Sequence, residues 1–253
     1  MGLLDNKTAV ITGANSGIGL ATAQRFLDEG ADRVFVTGRR QPELDEAARK
    51  LGPRATAVRG DVGRPEDLDR LYDEVAAAGN GLDIVMANAG LTRVARLGEI
   101  TDDDLDALLT TNVKGVVYTV QKALPLLNDG ASIILTGSTT ADRGRAGLSI
   151  YAATKAAVRS LARAWANELA DRNIRVNVIV AGSTATPGSN ALAAQTDPDA
   201  SIEEFRAERI TTIPLGRFAD PTEIANAAVF LASDLSSFST GSTVTADGGF
   251  NQV

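Results

Sequence analysis

The stretch Ser149-Ile150-Tyr151-Ala152-Ala153-Thr154-Lys155-Ala156-Ala157 sets a phenol and an ammonium four residues apart. On a helix, residues at that spacing are neighbours on one face. A lysine cation held beside a tyrosine favours the phenolate, so the Tyr151 pKa is expected to fall from the ordinary tyrosine value of ~10 toward a range where proton transfer at neutral pH is feasible. The chain supplies its own control, because Tyr118 and Lys122 stand at the same separation in GVVYTVQKALPLL. Either pair can equally be two side chains on a solvated or packed helix face. Their surroundings must separate them.

Composition narrows the chemistry first. The chain has 253 residues, 44% hydrophobic and 23% charged, the range of an ordinary globular protein with a substantial core. It has no cysteine, which excludes disulfides, thiolate nucleophiles and Cys-ligated metals, and no histidine, which excludes Ser-His-Asp hydrolysis and His-ligated zinc. Any proton transfer must therefore use Tyr, Lys, Asp or Glu, and no metal site is expected. A net charge of −7 argues against a general nucleic-acid binder, which needs a basic footprint. MGLLDNKTAV has no charged n-region leading into a long apolar stretch, and no run approaches the length of a membrane span. The expected setting is the cytoplasm, with no membrane partner.

The elements that must position the residues follow a rhythm. KTAVIT is a short β-branched run ending in Gly13-Ala14-Asn15-Ser16-Gly17-Ile18-Gly19, after which LATAQRFLDEG shows helical spacing up to Gly30. The pattern repeats through RVFVTG, RATAVRGDV, LDIVMANAG, ASIILTGS, IRVNVIVAG and STVTADGG, with amphipathic helices between the strands. One of those helices is expected over 101–127. Seven buried-type strands alternating with helices call for a doubly wound α/β sheet, mostly parallel and covered on both faces. No linker or low-complexity tract marks a boundary, so residues 1–253 are expected to form a single domain. The segment at about 183–217 breaks the rhythm, with turn signals and one short amphipathic piece over about thirty residues, against the ~2–6 usual for such connections. It follows a strand end, where ligands of open sheets sit, and is expected to be a substrate lid.

Gly13, Gly17 and Gly19 allow a tight turn, close approach of a pyrophosphate, and packing of helix on strand, while the helix N-terminus offers free N–H groups to an anion. A tight βα connection that binds nothing would look similar, and the position between first strand and helix is what favours the nucleotide. At the end of the second strand, where a reader of a ribose 2′-hydroxyl would show Asp or Glu, stand Gly38-Arg39-Arg40. A guanidinium pairs with a 2′-phosphate that a carboxylate would repel, which favours NADP(H). Two solvated arginines opening a helix are the other reading. Asp61-Val62 and Asn88-Ala89-Gly90 follow the third and fourth strands, where adenine and ribose would lie. Asn112 falls inside a helix.

Ser138 ends the strand ASIILTGS thirteen positions before Tyr151, whereas the residue thirteen before Tyr118 is Leu105, in a helix. Here the chain resembles the classical short-chain dehydrogenase/reductase family. The match runs nearly end to end: TGANSGIG (12–19), DV (61–62), ANAG (87–90), Asn112, Ser138 with YAATK (151–155), AGSTATPG (181–188), PLGRFADPTEIANAAVFLASDLSSFSTG (214–241) and DGG (247–249). The family also uses a G-x-x-x-G-x-G turn.

The resemblance implies a Rossmann fold and a set of roles. Tyr151 would give a proton to a carbonyl oxygen, or take it back in the oxidative direction. Lys155 would lower the Tyr151 pKa and hold the nicotinamide ribose, Ser138 would polarise the carbonyl, and Asn112 would anchor a water in a proton relay. Asn15, Ser16, Ile18, Gly182 and Thr184 would join the glycines, Arg39, Arg40, Asp61, Val62 and 88–90 around the cofactor, and Thr186 would hold the carboxamide. Three positions depart from the family pattern: Ala87 replaces the usual Asn, Ala181 the usual Pro, and Ala185 a frequent acidic residue. None removes a catalytic group. The family commonly forms homotetramers through the helices at 101–127 and 151–171, and Trp165 and Leu161 fit such an interface or an ordinary core equally.

The resulting expectation is an NADP(H)-dependent ketone reductase or secondary-alcohol dehydrogenase, most similar to bacterial ketone reductases. Its pocket would be lined by Leu91, Thr92, Thr139, Thr140, residues 142–148 and an apolar lid. Arg93, Arg96, Arg143 and Arg145 would favour an acidic substrate or, as the reading preferred here, be solvated loop charges. Alternatives are a 3-oxoacyl-carrier-protein reductase, which needs a basic rim, a non-catalytic NADP(H) sensor, which has no reason to keep Ser138, Tyr151, Lys155 and Asn112 together, and a sugar dehydrogenase, which calls for a more polar lid.

Overall fold

The computed structural model describes residues 2–253. Strands β1 (Thr8–Thr12), β2 (Arg33–Gly38), β3 (Ala55–Arg59), β4 (Leu82–Ala87), β5 (Leu127–Ser138), β6 (Arg175–Ala181) and β7 (Thr243–Ala246) form one parallel sheet in the order β3-β2-β1-β4-β5-β6-β7. The helices are α1 (Gly17–Asp28), α2 (Gln41–Leu51), α3 (Pro65–Ala77), α4 (Asp102–Leu109), α5 (Gly115–Ala123), α6 (Ser149–Glu168), α7 (Pro187–Thr196), α8 (Ile202–Ile210) and α9 (Pro221–Ala232). All five residues of β1 are buried, as a central strand covered on both faces requires. Alternation along the strand sorts them: Val10 packs with Leu71 of α3, Val120 of α5 and Val158 of α6, while Ala9 and Ile11 pack with Phe26 of α1, Leu44 of α2 and Ala228 of α9. In α1 the apolar residues Ala23, Phe26 and Leu27 recur at helical spacing, which turns that face to the sheet.

The connections after β1 and β4 leave in opposite directions, so a crevice opens at the carboxyl ends of the two adjacent strands. Ser138 reaches that edge because β5 pairs with β6 through Ser138 and Ala181.

Three elements differ from expectation. The helix expected over 101–127 is interrupted by a π turn at Thr110–Lys114 and ends at Ala123. The wide turn carries Asn112 inward, and Gly115 beside it admits Val62, whose Cγ2 would be 2.6 Å from a Cβ there. Strand β5 begins earlier than ASIILTGS, with Leu127 beside Leu82. The segment expected to be a lid holds two helices where one short amphipathic piece was expected. Capping starts them: Thr186 accepts from the Ser189 N–H and Ser201 from the Glu204 N–H, each at 3.1 Å. Only Ala193 of α7 and Phe205 of α8 are buried, so neither helix carries an apolar stripe for periodicity to reveal. No helix is long and apolar enough to cross a membrane among the described residues.

Candidate functional site

A cleft of about 980 Å³ runs along the carboxyl ends of the strands. Its floor is stitched where β1 and β4 part. Thr12 Oγ1 accepts the N–H groups of Asn88 and Ala89, both at 3.1 Å, and Asn88 Nδ2 donates to the carbonyls of Thr12 at 3.0 Å and Gly13 at 3.2 Å. Gly13 has φ +64°, and a Cβ on it would stand 2.8 Å from Ala89 Cα, so only glycine permits this crossing. Asn15, Ser16, Gly17 and Ile18 continue the wall. Ser16 caps α1 without a side-chain hydrogen bond, and the first turn has no acidic residue, whereas α4, α8 and α9 close their N-termini with reciprocal capping boxes. The α1 terminus keeps open N–H groups and its positive dipole end, a fitting cradle for a pyrophosphate. Gly19 differs from expectation in lying behind the cleft: a Cβ would meet the Gly13 carbonyl oxygen at 2.5 Å, which makes it a packing residue.

Arg39 and Arg40 line the far end with Asp61 and Val62. Arg39 Nη1 is 3.8 Å from Asp61 Oδ2, and both side chains remain partly exposed. Arg40 pairs with Glu43 in the first turn of α2. Asp61 is fixed in turn by Asp67, whose Oδ2 accepts its N–H at 2.8 Å; that hydrogen bond, with Arg70 nearby, holds the Asp67 carboxyl below its usual range.

In the middle of the cleft, α6 and the end of β5 bring Tyr151, Lys155 and Ser138 together. The side chains of Ser138 and Thr92 are near enough to the Tyr151 hydroxyl to favour its ionised form. Ser138 Oγ accepts from Thr140 Oγ1 at 3.0 Å. Lys155 is 3% exposed; its Nζ lies 5.7 Å from the Tyr151 ring centroid and donates to the Thr136 carbonyl at 2.8 Å. Burial pushes the Lys155 ammonium down to about 8. It also pushes the Tyr151 phenol up, against the lowering pull of Ser138 and Thr92. This corrects the expected depression of the phenol: in a dry site both charged forms are disfavoured, and desolvation exceeds the help available from neighbours. The control pair behaves otherwise, since Lys122 turns to Asp69 on the surface and Tyr118 packs against the core.

Asn112 is fully buried and does not line the cleft. Its Oδ1 accepts the Leu91 N–H at 2.9 Å, and its Nδ2 donates to the Leu91 carbonyl at 2.9 Å and to Thr154 Oγ1 at 3.2 Å. It still adjoins the lysine, because a Cβ on Gly90 would stand 3.4 Å from Asn112 Oδ1 and 3.5 Å from Lys155 Nζ. On the lid side, Gly182, Thr184 and Thr186 line the cleft. Thr184 Oγ1 donates to the Gly182 carbonyl at 3.0 Å, and Thr186 reaches across to the glycine turn, its Cγ2 3.2 Å from where a Cβ on Gly17 would stand. Leu91, Thr92, Thr139 and Thr140, expected around a substrate, also line the cleft. Trp165 packs against the core, and Leu161 is half-buried.

Of the expected cofactor and catalytic residues, only Gly19 and Asn112 fall outside the lining. Sequence reasoning missed Thr136, Thr154 and Arg209. Thr136 sits two residues before Ser138 on the same strand face, and Thr154 is three residues after Tyr151 on its helix, so both periodicities pointed to them. Arg209 had no such signal.

The comparisons with known proteins agree with this geometry. A family model described as Enoyl-(Acyl carrier protein) reductase matches residues 13–251. The chain is 47% identical over 252 residues to Oxidoreductase asL5 of Sarocladium schorii, covering 99% of this chain and 98% of that one. It is 35% identical over 250 residues to the 3-oxoacyl-[acyl-carrier-protein] reductase FabG of Thermotoga maritima, covering 97% and 98%. A crystal structure of a short-chain dehydrogenase/reductase from Brucella melitensis, described as glucose/ribitol dehydrogenase, superposes with a TM-score of 0.92 at 32% identity, covering 100% and 99%. With the uncapped α1 terminus, the Ser138-Tyr151-Lys155 cluster and matches of this length, the chain belongs to the short-chain dehydrogenase/reductase family of oxidoreductases, which work with a nicotinamide cofactor.

Proposed function

We propose that this protein interconverts a ketone and a secondary alcohol using NADP(H), with Tyr151 as general acid and base. The observation that carries the reading is the grouping of Ser138, Tyr151 and a buried Lys155, its Nζ 5.7 Å from the Tyr151 ring centroid, in the same cleft as the open N-terminus of α1. NADPH, when bound, supplies the hydride. The glycine turn and α1 bind its pyrophosphate, Arg39 and Arg40 take the 2′-phosphate, Asp61, Val62 and residues 88–90 bound the adenosine, and Thr184 and Thr186 border the nicotinamide. Ser138 and Tyr151 hydrogen-bond the substrate oxygen, and Tyr151 donates its proton as negative charge develops there. A phenol whose pKa is raised by burial holds that proton well at neutral pH, as the reductive direction requires. Lys155 favours the tyrosinate left behind. The gap between Lys155 and Asn112 that Gly90 leaves open suits one relay water, since Asn112 Oδ1 keeps a free lone pair.

Oxidation of NADPH and of NADH, followed by absorbance against an aryl ketone, an aliphatic ketone, a β-ketoester and an acyl thioester, tests the reading. Turnover of ketones with NADPH is the expected result. Turnover of the thioester alone would favour the carrier-protein reductase, the reading that the Thermotoga maritima relative supports. Binding of NADPH without any turnover would favour a sensor. Tyr151→Phe is expected to lower kcat by roughly 10²–10⁴-fold while NADPH affinity, measured by fluorescence titration, stays near wild type. Unchanged kcat would remove Tyr151 from the acid role.

A further inference from the structure

Two arginines in the substrate half of the cleft have no place in the cofactor reading. Arg145 belongs to the loop after β5, and its carbonyl accepts the Leu148 N–H at 3.1 Å, which ties it to the start of α6. Arg209 comes from α8 of the lid. Both guanidinium carbons lie 5.9 Å from the centroid of the Phe205 ring, so α8 and the loop after β5 meet at two cations around one aromatic ring. Arg145 Nη1 is buried without a hydrogen-bond partner, and the side-chain contact of Arg209 is a long one, Nη2 to Ser183 Oγ at 3.5 Å. Neither stands within salt-bridge distance of a carboxylate among the described residues. Several other arginines have partners: Arg93 with Asp104, Arg159 with Asp142, Arg172 with Asp129, Arg217 with Glu223, while Arg143 donates to the Phe250 carbonyl.

This arrangement is unfavourable as it stands. Desolvation lowers both guanidinium pKa values, and repulsion from Arg145 helps bring Arg209 to about 10, with Glu208 offsetting only part of the effect. Half-buried positive charge with an unused donor is relieved by an anion that the planar forks can hold. Sequence reasoning favoured a solvated loop charge for Arg145; it lines the cleft instead, with Arg209, which the sequence did not mark. An acidic carrier protein would need cations on the outer rim, whereas this pair fits a small group carried inside.

We propose that the substrate is an oxo acid or the matching hydroxy acid, whose carboxylate is held by Arg145 and Arg209 while its carbonyl or hydroxyl meets Ser138 and Tyr151. This rests on the ketone–alcohol reading above. The test compares methyl-ketone carboxylates of increasing chain length with their methyl esters, using NADPH. At the best length kcat/KM for the acid is expected to exceed that for the ester by roughly 10–100-fold, the worth of a charge-assisted pair. That ratio should fall toward one in Arg209→Met and in Arg145→Met, and take an intermediate value in Arg209→Lys, which keeps the charge without the fork. A ratio of one or less in the wild type at every length overturns the proposal. So does a ratio unchanged in the variants with both rates lowered together, which would make the pair a clasp for the lid. A separate calorimetric titration with benzoate and benzamide, in the presence of NADP+, does not depend on turnover. Benzoate binding that is lost in Arg209→Met supports the anion site even if no ketone is reduced, and equal behaviour of the two probes overturns it even if ketones are.

Discussion

Lys155 is held with its ammonium against the Thr136 carbonyl in a site dry enough to move its pKa from 10.5 to about 8. Between those values the unfolded chain binds more protons than the folded one, so the stability contribution of this residue improves as pH rises through that window. Below about 8 the full penalty is present, roughly 3 kcal/mol, and above 10.5 it is gone because the amine is neutral in both states. Lys155→Met is therefore expected to stabilise the protein relative to wild type near neutral pH, by a margin that shrinks toward pH 10; urea unfolding of both proteins across that range measures it. A constant margin would mean that Lys155 keeps an ordinary pKa. Arg39 makes the other residue-scale prediction. It is already paired with Asp61 at 3.8 Å, so a 2′-phosphate must compete for it. Arg39→Ser should lower the preference for NADPH over NADH by roughly 10–100-fold in dissociation constants, as expected for one charge-assisted contact. No change in the ratio would reassign the preference to Arg40.

The π turn within the α4–α5 run exists around one amide. Asn112 satisfies both backbone groups of Leu91 and the Thr154 hydroxyl, joining the connection after β4, the helix pair and α6. Asn112→Ala would leave the Leu91 backbone groups unpaired in the interior, since the Thr154 hydroxyl still donates to the Tyr151 carbonyl, at a cost of about 2–3 kcal/mol, measurable as a lower urea midpoint. Asn112→Asp keeps the acceptor for the Leu91 N–H and should recover part of the loss. A stability equal to wild type in Asn112→Ala would leave the turn without its proposed cause. The sequence marked Asn112 through family resemblance, and it could not show the turn, because TDDDLDALLTTNVKGVVYTVQKALPLL reads as one uninterrupted helical pattern. The lid was illegible for a related reason: α7 and α8 each bury a single residue, so capping by Thr186 and Ser201 sets them where periodicity is silent.

At the scale of the whole molecule, the sheet was readable because each strand is a short apolar run closed by a turn signal, and because seven such runs alternating with helices leave few topologies. Tyr151 was separable from Tyr118 by Ser138 alone, since the topology brings the end of β5 to the start of α6. The direction of the Tyr151 shift was not readable, because it depends on burial that arises only once β5, α6 and the connection after β4 enclose the phenol. Arg209 was not readable either, as one charge in a segment without a pattern. The contact between Thr186 and the glycine turn carries a consequence in time. Thr186, which caps α7, rests against Gly17 of the glycine turn, and residues of both α7 and α8 line the cleft. A substrate seated beneath them would obstruct the entry of the dinucleotide, so the encounters should occur in sequence, nucleotide first and nucleotide last to leave. The oxidised nucleotide is then expected to inhibit competitively against NADPH, and the alcohol product in a mixed pattern against the ketone; a purely competitive pattern for the alcohol would mean that the two enter in either order.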